Sequence, residues 1–414
     1  MLEGVSSRRH FLASGAALTA LGVAAPAIAL ATTPDAFTPF RIEVPQGDLD
    51  YLWMRLDRTR WPDKEVVDDL SQGVPLARME ALVEHWRTKY DWRKFERQIN
   101  ALPQFMTKID GVDIHLVHVR SRHANAMPLV MTHGWPGSIV EMLKVVGPLT
   151  DPTAYGGEPS DAFHLVLPSI PGFGFSGKPT AKGWGRHRVA RAWATLMERL
   201  GYTRYVAQGG DWGSVISQAM GQLAPAGLLA IHVNMPAAKP QRLPATMTAE
   251  EEAAAKQIEN FYASGAGYAS IQFTRPQTIG YALADSPAGQ AAWIYDKFTA
   301  WTDSGGVPER VLTVDDMLDD VMFYWLTNAA ASSGRMYWEN GDLSYDQMGG
   351  INIPVAVSVF PAEIYQAPKS WCEQAFPNLY YYNRPEKGGH FAAFEQPHIF
   401  TREVREAFRP FRAA

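Results

Sequence analysis

The sequence predicts an α/β fold with a mostly parallel sheet and helices on both faces. Three short apolar segments, "PLVMT", "FHLVLP" and "YVAQG", each lead into a loop rich in glycine or proline and then into a helical stretch. Short apolar strands that alternate with helices are typical of parallel sheets buried on both faces. Ligands of such sheets bind at the carboxyl ends of the strands, so we expect the functional loops there.

The composition favours a small-molecule partner. The 414 residues are 46% hydrophobic, enough for one large core and a smaller appended domain. A net charge of −5 without a long run of Lys and Arg argues against a nucleic-acid partner. Cys372 is the single cysteine, which excludes an intramolecular disulfide and a cysteine-based metal site. No metal-ligand spacing or phosphate-binding loop is present, so we expect neither a metal nor a cofactor.

The first residues differ in character from the rest of the chain. Arg8 and Arg9 precede an apolar run with Ala-x-Ala options around residues 25–31. This pattern resembles a twin-arginine export signal over residues 1–31, which predicts a periplasmic or secreted protein. An ordinary amphipathic or membrane-anchoring N-terminus is the alternative. No other stretch has about 20 apolar residues, so we expect no stable membrane association after cleavage of the signal.

The pattern along the chain predicts four further regions. Residues 37–105 show helical periodicity without a strong strand, which indicates a small helical N-terminal domain. A hairpin signal opens the first part of the α/β core, residues 106–236. Residues 237–348 are helical and predict a lid over the strand ends. The strand pattern resumes in residues 349–414, the second part of the core.

The segment "QGGDWGSVIS", residues 208–217, predicts a sharp turn from a buried strand to a helix with Asp211 at its apex. Gly209 and Gly213 allow the backbone to turn this tightly. A serine at this position serves acyl transfer. A carboxylate suits displacement at a saturated carbon instead, because it is already ionised at neutral pH and needs no base for the first attack. We therefore predict that Asp211 is a nucleophile that forms an alkyl ester.

An acid and a histidine follow the elbow in the expected chain order. Glu363 comes just after the apolar strand "VAVSVF", and His390 lies in "GGHF" after the last strand. We predict that His390 takes a proton from water that attacks the ester carbonyl of Asp211, while Glu363 orients the imidazole. The oxyanion donors predicted for this step are the backbone N–H groups of Trp212 and Trp135.

Five motifs resemble those of the epoxide hydrolases of the α/β-hydrolase fold. They are "HGWPGS" at 133–138, "PGFGFSGKP" at 171–179, "GGDWGS" at 209–214, "FPAE" at 360–363 and "GGHFAAFEQP" at 388–397. The microsomal and juvenile-hormone branch, which has an N-terminal epoxide-hydrolase domain, is the most similar. The resemblance implies a mostly parallel eight-stranded sheet with a helical lid. It also implies an enzyme that converts an apolar epoxide and water to a vicinal diol without a cofactor. The animal branch carries an N-terminal membrane anchor, whereas the export signal predicted here implies a bacterial enzyme.

The resemblance further implies two lid tyrosines that protonate the epoxide oxygen. Tyr268 and Tyr337 match the family's positions, and a neutral phenol can donate to a developing alkoxide. Tyr324, Tyr281 and Tyr295 lie in the same insert and remain alternatives.

Two other functions are open from the sequence. A haloalkane dehalogenase uses the same fold and an Asp nucleophile that is often followed by Trp, and halide release without diol formation would indicate it. A non-catalytic protein that binds an apolar ligand is the second alternative. The "HGWPG" loop, the lid tyrosines and the N-terminal domain favour the epoxide hydrolase. The sequence leaves open a homo-oligomer, the identity of the epoxide and the role in detoxification or catabolism.

Overall fold

A computed structural model describes residues 36–341 and 344–412 of the protein. The predicted export signal, residues 1–31, lies outside the described residues and stays a prediction. No helix in the described ranges is long and apolar enough to cross a membrane.

One sheet organises the described chain, in the order β1-β2-β3-β5-β4-β6-β7-β8-β9. Its strands are β1 (Thr38–Phe40), β2 (Gln104–Ile109), β3 (Val112–Val119), β4 (Met127–Thr132), β5 (Phe163–Pro168), β6 (Tyr205–Gly209), β7 (Leu228–Val233), β8 (Val355–Ser358) and β9 (Leu379–Asn383). The pairs from β1 to β5 are antiparallel, and all pairs from β5 through β9 are parallel. The α/β-hydrolase fold is confirmed, with nine described strands where the sequence predicted eight.

The additional strand belongs to the N-terminal region. The helices there are α1 (Gln46–Asp57), α2 (Leu76–Thr88) and α3 (Trp92–Ile99), as the helical periodicity predicted. The strand β1 precedes them and pairs with β2 at the sheet edge, so the region is anchored to the core. Its three residues include a proline, which is tolerated at an edge strand but gives no strand signal in the sequence. The boundary between the N-terminal domain and the core, placed after residue 105 from the sequence, stays a prediction.

Helices of the core pack in two groups. They are α4 (Leu143–Thr150), α5 (Arg186–Arg199), α6 (Trp212–Leu223), α13 (Lys369–Ala375), α14 (Ala392–Glu395) and α15 (Pro397–Phe408). The helix α5 packs against α6, while α15 packs against α4. The central strands are apolar and fully buried, for example at Val166, Val206 and Ile231, which fits a sheet covered by helices.

The insert between β7 and β8 forms a helical lid. Its helices are α7 (Ala249–Asn260), α8 (Gly267–Thr274), α9 (Pro276–Asp285), α10 (Pro287–Trp301), α11 (Val314–Leu326) and α12 (Ala330–Trp338). Capping boxes start α7 at Thr248 and α11 at Thr313, where each threonine accepts from a backbone N–H three residues later. The helix α12 packs against α8 and α9, which fixes the side chains that these helices carry.

Candidate active site

Asp211 occupies a strained turn between β6 and α6. Its φ of 50° and ψ of −126° lie in a region that residues with a side chain rarely adopt. A Cβ atom on Gly213 would lie 1.8 Å from the carbonyl oxygen of Thr132, and one on Gly134 would lie 2.3 Å from the Cβ atom of Asp211. The glycines on both sides of the elbow therefore allow the close backbone approach that lifts Asp211 above the sheet.

Gly213→Ala is expected to lower the free energy of unfolding by at least about 3 kcal/mol, because the new methyl group overlaps a backbone carbonyl that cannot rotate away. The matched control is Gly47→Ala in α1, where no atom lies within 4 Å of the added Cβ atom. Denaturant titration of both variants checks the prediction. Equal unfolding midpoints for the two variants would contradict it.

The structure brings Asp211, Glu363 and His390 together above the strand ends. The distance from His390 Nδ1 to Glu363 Oε1 is 2.6 Å, and the distance from His390 Nε2 to Asp211 Oδ2 is 3.4 Å. Glu363 is also fixed by its Oε1 atom, which accepts from the Ile364 N–H at 2.8 Å. The backbone N–H of His390 donates to the carbonyl of Trp301 at 2.9 Å, which ties the histidine loop to the lid.

Both ring nitrogens of His390 therefore face a carboxylate. Burial alone would lower the pKa of His390, but the negative charges of Glu363 and Asp211 outweigh burial and hold the pKa well above its usual value. The imidazole is therefore a cation while Asp211 is ionised. Neutralisation of Asp211 would remove one of the two negative charges that hold the proton on His390.

The carboxylate of Asp211 also meets a backbone donor. Its Oδ1 atom accepts from the Trp135 N–H at 2.8 Å. Although Asp211 stands at the start of α6, its side chain makes no capping hydrogen bond in the part of the chain that the structure describes. Trp212 is the first residue of α6, where a backbone N–H has no acceptor within the helix. The arrangement fits a carboxylate held for chemistry rather than a helix cap.

The loop that presents Trp135 is held by a buried histidine. His133 Nε2 accepts from the N–H of Ile170 at 3.1 Å, and His133 Nδ1 donates to the carbonyl of Gly134 at 3.0 Å. These bonds fix the neutral tautomer, and burial lowers the pKa of His133 to about 4. His133 thus connects two of the glycine-rich loops and keeps the amide of Trp135 aimed at Asp211.

Tyr268 and Tyr337 reach the same site from the lid. The ring of Tyr268 stacks on Trp135 with centroids 4.8 Å apart, and the ring of Tyr337 meets Trp212 edge to face at 4.8 Å. The two tyrosine rings lie 5.9 Å apart. Burial raises the pKa of both phenols well above 10, and the charge of Asp211 adds to this effect. Both side chains are therefore neutral hydrogen-bond donors beside the nucleophile.

The three alternative tyrosines lie elsewhere or have other partners. The Tyr324 hydroxyl donates to the carbonyl of Gly137 at 2.8 Å, and the Tyr295 hydroxyl donates to Glu309. Tyr281 is 71% exposed on the outer side of the lid. The geometry therefore favours Tyr268 and Tyr337 over these three.

A largely apolar pocket of about 730 Å³ joins the lid to Asp211. It is lined by Asp211, Trp212, Val215, Met235, Ala237, Phe261, Tyr262, Ala266, Tyr268, Ala269, Ser270, Phe273, Tyr337, Ser344 and Tyr345. Tyr345 is half-buried here, and sequence reasoning missed it because no motif marks it. The aromatic and aliphatic lining suits a small apolar ligand.

A second cavity of about 360 Å³ shares only Asp211 with the first among the lining residues. Its wall includes His390 and three polar side chains that the sequence did not single out, Glu141, Gln208 and Asn234. Asp211 therefore borders the aromatic pocket and also this second space, called the polar cavity here because it contains imidazole, carboxyl and amide groups. Within the described ranges, no group of three His, Cys, Asp or Glu side chains could hold a metal ion.

The fold and the site together define an α/β-hydrolase with a carboxylate at the nucleophile elbow. Comparison with known proteins gives the family. The model described as "Epoxide hydrolase N terminus" matches residues 37–142, and the model for the alpha/beta hydrolase fold matches residues 127–282.

Similar proteins agree with these matches. The Stigmatella aurantiaca protein with the name "Putative epoxide hydrolase" is 56% identical over 91% of this chain and 86% of its own length. Epoxide hydrolase 1 of Oryctolagus cuniculus is 33% identical over 89% of this chain and 88% of its own length. The crystal structure of juvenile hormone epoxide hydrolase from Bombyx mori superposes with a TM-score of 0.82 at 28% identity, covering 91% of this chain and 95% of that one. The chain belongs to the epoxide hydrolase family.

Proposed function

We propose that the protein hydrolyses an apolar epoxide to a vicinal diol through a covalent ester on Asp211. The observation that carries this proposal is the position of Asp211 between two cavities. The apolar cavity contains two buried phenols, and the polar cavity contains His390. Each half of a two-step hydrolysis therefore has its own set of residues.

The first step takes place in the apolar pocket. A carboxylate oxygen of Asp211 attacks an epoxide carbon, and the C–O bond of the ring breaks. The electron pair stays on the epoxide oxygen, which takes a proton from Tyr337 or Tyr268. The products of this step are an ester on Asp211, a new hydroxyl group and a tyrosinate.

The second step hydrolyses the ester. Once Asp211 is an ester, its negative charge no longer holds the proton on His390 Nε2, so this proton returns to the tyrosinate and Nε2 becomes a base toward water. The water oxygen attacks the Cγ atom of Asp211, and the N–H groups of Trp135 and Trp212 stabilise the resulting oxyanion. When this intermediate collapses, the bond from Cγ to the diol oxygen breaks, and that oxygen takes the second proton of the attacking water. The proton that His390 took from water restores the cationic imidazole of the free protein, and Asp211 is again a carboxylate.

Diol formation from a panel of epoxides tests the proposal. The panel contains styrene oxide, a terminal alkyl epoxide and a bulky trans-disubstituted epoxide, with halide release from haloalkanes measured in parallel. We expect diol from at least one epoxide and no halide release. Halide without diol would move the protein to the haloalkane dehalogenases, and ligand binding without either product would favour the non-catalytic alternative.

Tyr337→Phe and Tyr268→Phe are each expected to slow ester formation by about 10²-fold, because the alkoxide loses a proton donor. Rapid-mixing measurements of tryptophan fluorescence follow this step, since Trp135 and Trp212 border the reacting groups. Tyr345→Phe is the matched control, because this residue is a tyrosine that lines the same pocket. A loss in the control as large as in the two variants would contradict a role as proton donors.

We also infer export of the protein from the segment around Arg8 and Arg9. Replacing both arginines by lysine is expected to leave the protein in the cytoplasm of an expressing bacterium, whereas the unchanged chain reaches the periplasm or the medium. Cell fractionation measures the difference. Equal distribution of both chains would contradict the inference.

A further inference from the structure

The polar cavity contains a buried carboxyl group that the mechanism above does not use. Glu141 lies in the short 3₁₀ turn Ile139–Met142, directly after the loop that carries Trp135. Its Oε1 atom lies 3.4 Å from the Gly134 N–H that donates to it. A Cβ atom on Gly137 would lie 2.6 Å from Oε2, so the glycine leaves the space that the carboxyl group fills. Glu141 thereby lines the cavity beside Asp211 and His390.

The same cavity has a buried acceptor that needs a partner. Gln208 is 1% exposed, and its Oε1 atom has no hydrogen-bond partner in the part of the chain described by the structure. Its Nε2 atom donates to Asn234 Oδ1 at 2.9 Å, which fixes the orientation of the amide. Buried acceptors of this kind are normally satisfied by water when the adjacent cavity is polar. The cavity is therefore suited to hold the water that the second step consumes.

We propose that Glu141 positions the hydrolytic water between His390 and the ester carbonyl of Asp211. This inference rests on the proposed function. The water donates one hydrogen to His390 Nε2 and the other to the Glu141 carboxyl, so that an oxygen lone pair faces the Cγ atom of Asp211. The bond from water oxygen to Cγ forms as the proton moves to His390. Glu141 itself forms no covalent bond.

The charges around Glu141 support this role. Burial, together with the charges of Asp320 and Asp211, raises the pKa of Glu141 to about 8, although the charge of His390 and the Gly134 N–H act in the opposite direction. Asp320 on α11, Asp211 at the elbow and His390 are thus the titratable groups that act on it. Formation of the ester removes the charge of Asp211, so the pKa of Glu141 falls. Glu141 is therefore a stronger hydrogen-bond acceptor during hydrolysis of the ester, when it holds the water. An anionic Glu141 then stabilises the imidazolium that forms during hydrolysis.

Glu141→Gln separates the two steps. We expect ester formation to change by less than about 3-fold, because the apolar pocket is untouched, and ester hydrolysis to fall by about 10- to 100-fold. The ester form should then accumulate and appear in the intact mass of the protein after mixing with styrene oxide or another epoxide that is turned over. The pH profile of ester hydrolysis should also differ between the two proteins, because the Glu141→Gln variant no longer has a carboxyl group that ionises at this position.

Asp320→Asn is the matched control. Asp320 is a neighbouring carboxyl group that is 1% exposed, accepts from Ser138 Oγ at 2.6 Å and does not line the cavity. We expect its hydrolysis rate to stay within about 2-fold of the unchanged protein, because Asn keeps the acceptor for Ser138. If Glu141→Gln does not fold, Glu141→Asp tests the same point, because it keeps the charge but withdraws the carboxyl by one methylene and should slow hydrolysis in the same selective manner.

Three results would overturn the inference: unchanged hydrolysis in the Glu141 variant, equal losses in both steps, or an equal loss in Asp320→Asn. These outcomes differ from a failure of the proposed function. If the unchanged protein makes diol without any ester on Asp211, the proposed covalent mechanism is wrong, and the inference about Glu141 is wrong as well. If the ester forms and is hydrolysed at the same rate in both proteins, only the inference about Glu141 is wrong.

Discussion

Replacing Asp211 with asparagine is expected to lower the rate of diol formation by at least about 10³-fold. The amide has nearly the shape of the carboxylate and can still accept from the Trp135 N–H, but it carries no negative charge to displace the epoxide oxygen. The measurement is the initial rate of diol formation with an epoxide that the unchanged protein hydrolyses. The fold should survive, because the backbone of the elbow is set by its neighbours Gly134 and Gly213.

Asp320→Asn provides the control for replacing a buried carboxyl group with an amide. Asp320 is 1% exposed and contacts Ser138 rather than the epoxide pocket. Its variant should keep most of the activity. An Asp211→Asn protein that is confirmed by mass and still forms diol at the original rate would exclude Asp211 as the nucleophile.

His390→Gln is expected to slow hydrolysis of the ester by about 10²- to 10⁴-fold, while ester formation continues. The reason is that the attack on the epoxide uses a carboxylate that is already ionised, whereas the attack of water needs a base at Nε2. The variant should consume one equivalent of epoxide in a rapid burst and then nearly stop. The intact mass should show the protein with the epoxide added. His118→Gln is the control, because His118 is also buried and lies on β3, away from the site.

The same site predicts a pH dependence with a defined sign. In the free protein the carboxylates of Glu363 and Asp211 hold the pKa of His390 well above its usual value, although burial alone would lower it. Ester formation neutralises Asp211, so the pKa of His390 falls in the intermediate. The hydrolysis rate should therefore rise as the pH rises through this lowered pKa and then level off. A hydrolysis rate that falls over the same range would contradict His390 as the base.

Local signals explain why much of the fold and site could be predicted from the sequence. The strand before the elbow is apolar. Gly209 and Gly213 flank Asp211 because the backbone passes too close to its neighbours there to leave room for a side chain, as the structure confirms. Glu363 and His390 each follow a strand of the parallel sheet, so strand order alone places them at one edge. Such signals depend only on neighbours in the chain.

The features that sequence reasoning missed depend on distant contacts. The sequence around Glu141 is that of an ordinary acidic residue in a helical turn. The pKa of Glu141 is raised because the fold removes it from water and because α11 places Asp320 close to it. Tyr345 enters the pocket because the chain after α12 turns back toward Phe261, with ring centroids 5.7 Å apart. The strand β1 forms only because β2 offers an edge to pair with. None of these contacts leaves a periodic pattern or a motif in the sequence.

The central claim is the ester on Asp211, and a single turnover in water enriched in oxygen-18 tests it most directly. With the protein in excess over epoxide, the oxygen added to the diol comes from the Asp211 carboxylate, and the oxygen from water replaces it. We therefore predict unlabelled diol and oxygen-18 in the peptide that contains Asp211. Labelled diol with no label in that peptide would mean that water attacks the epoxide directly, which would contradict the mechanism.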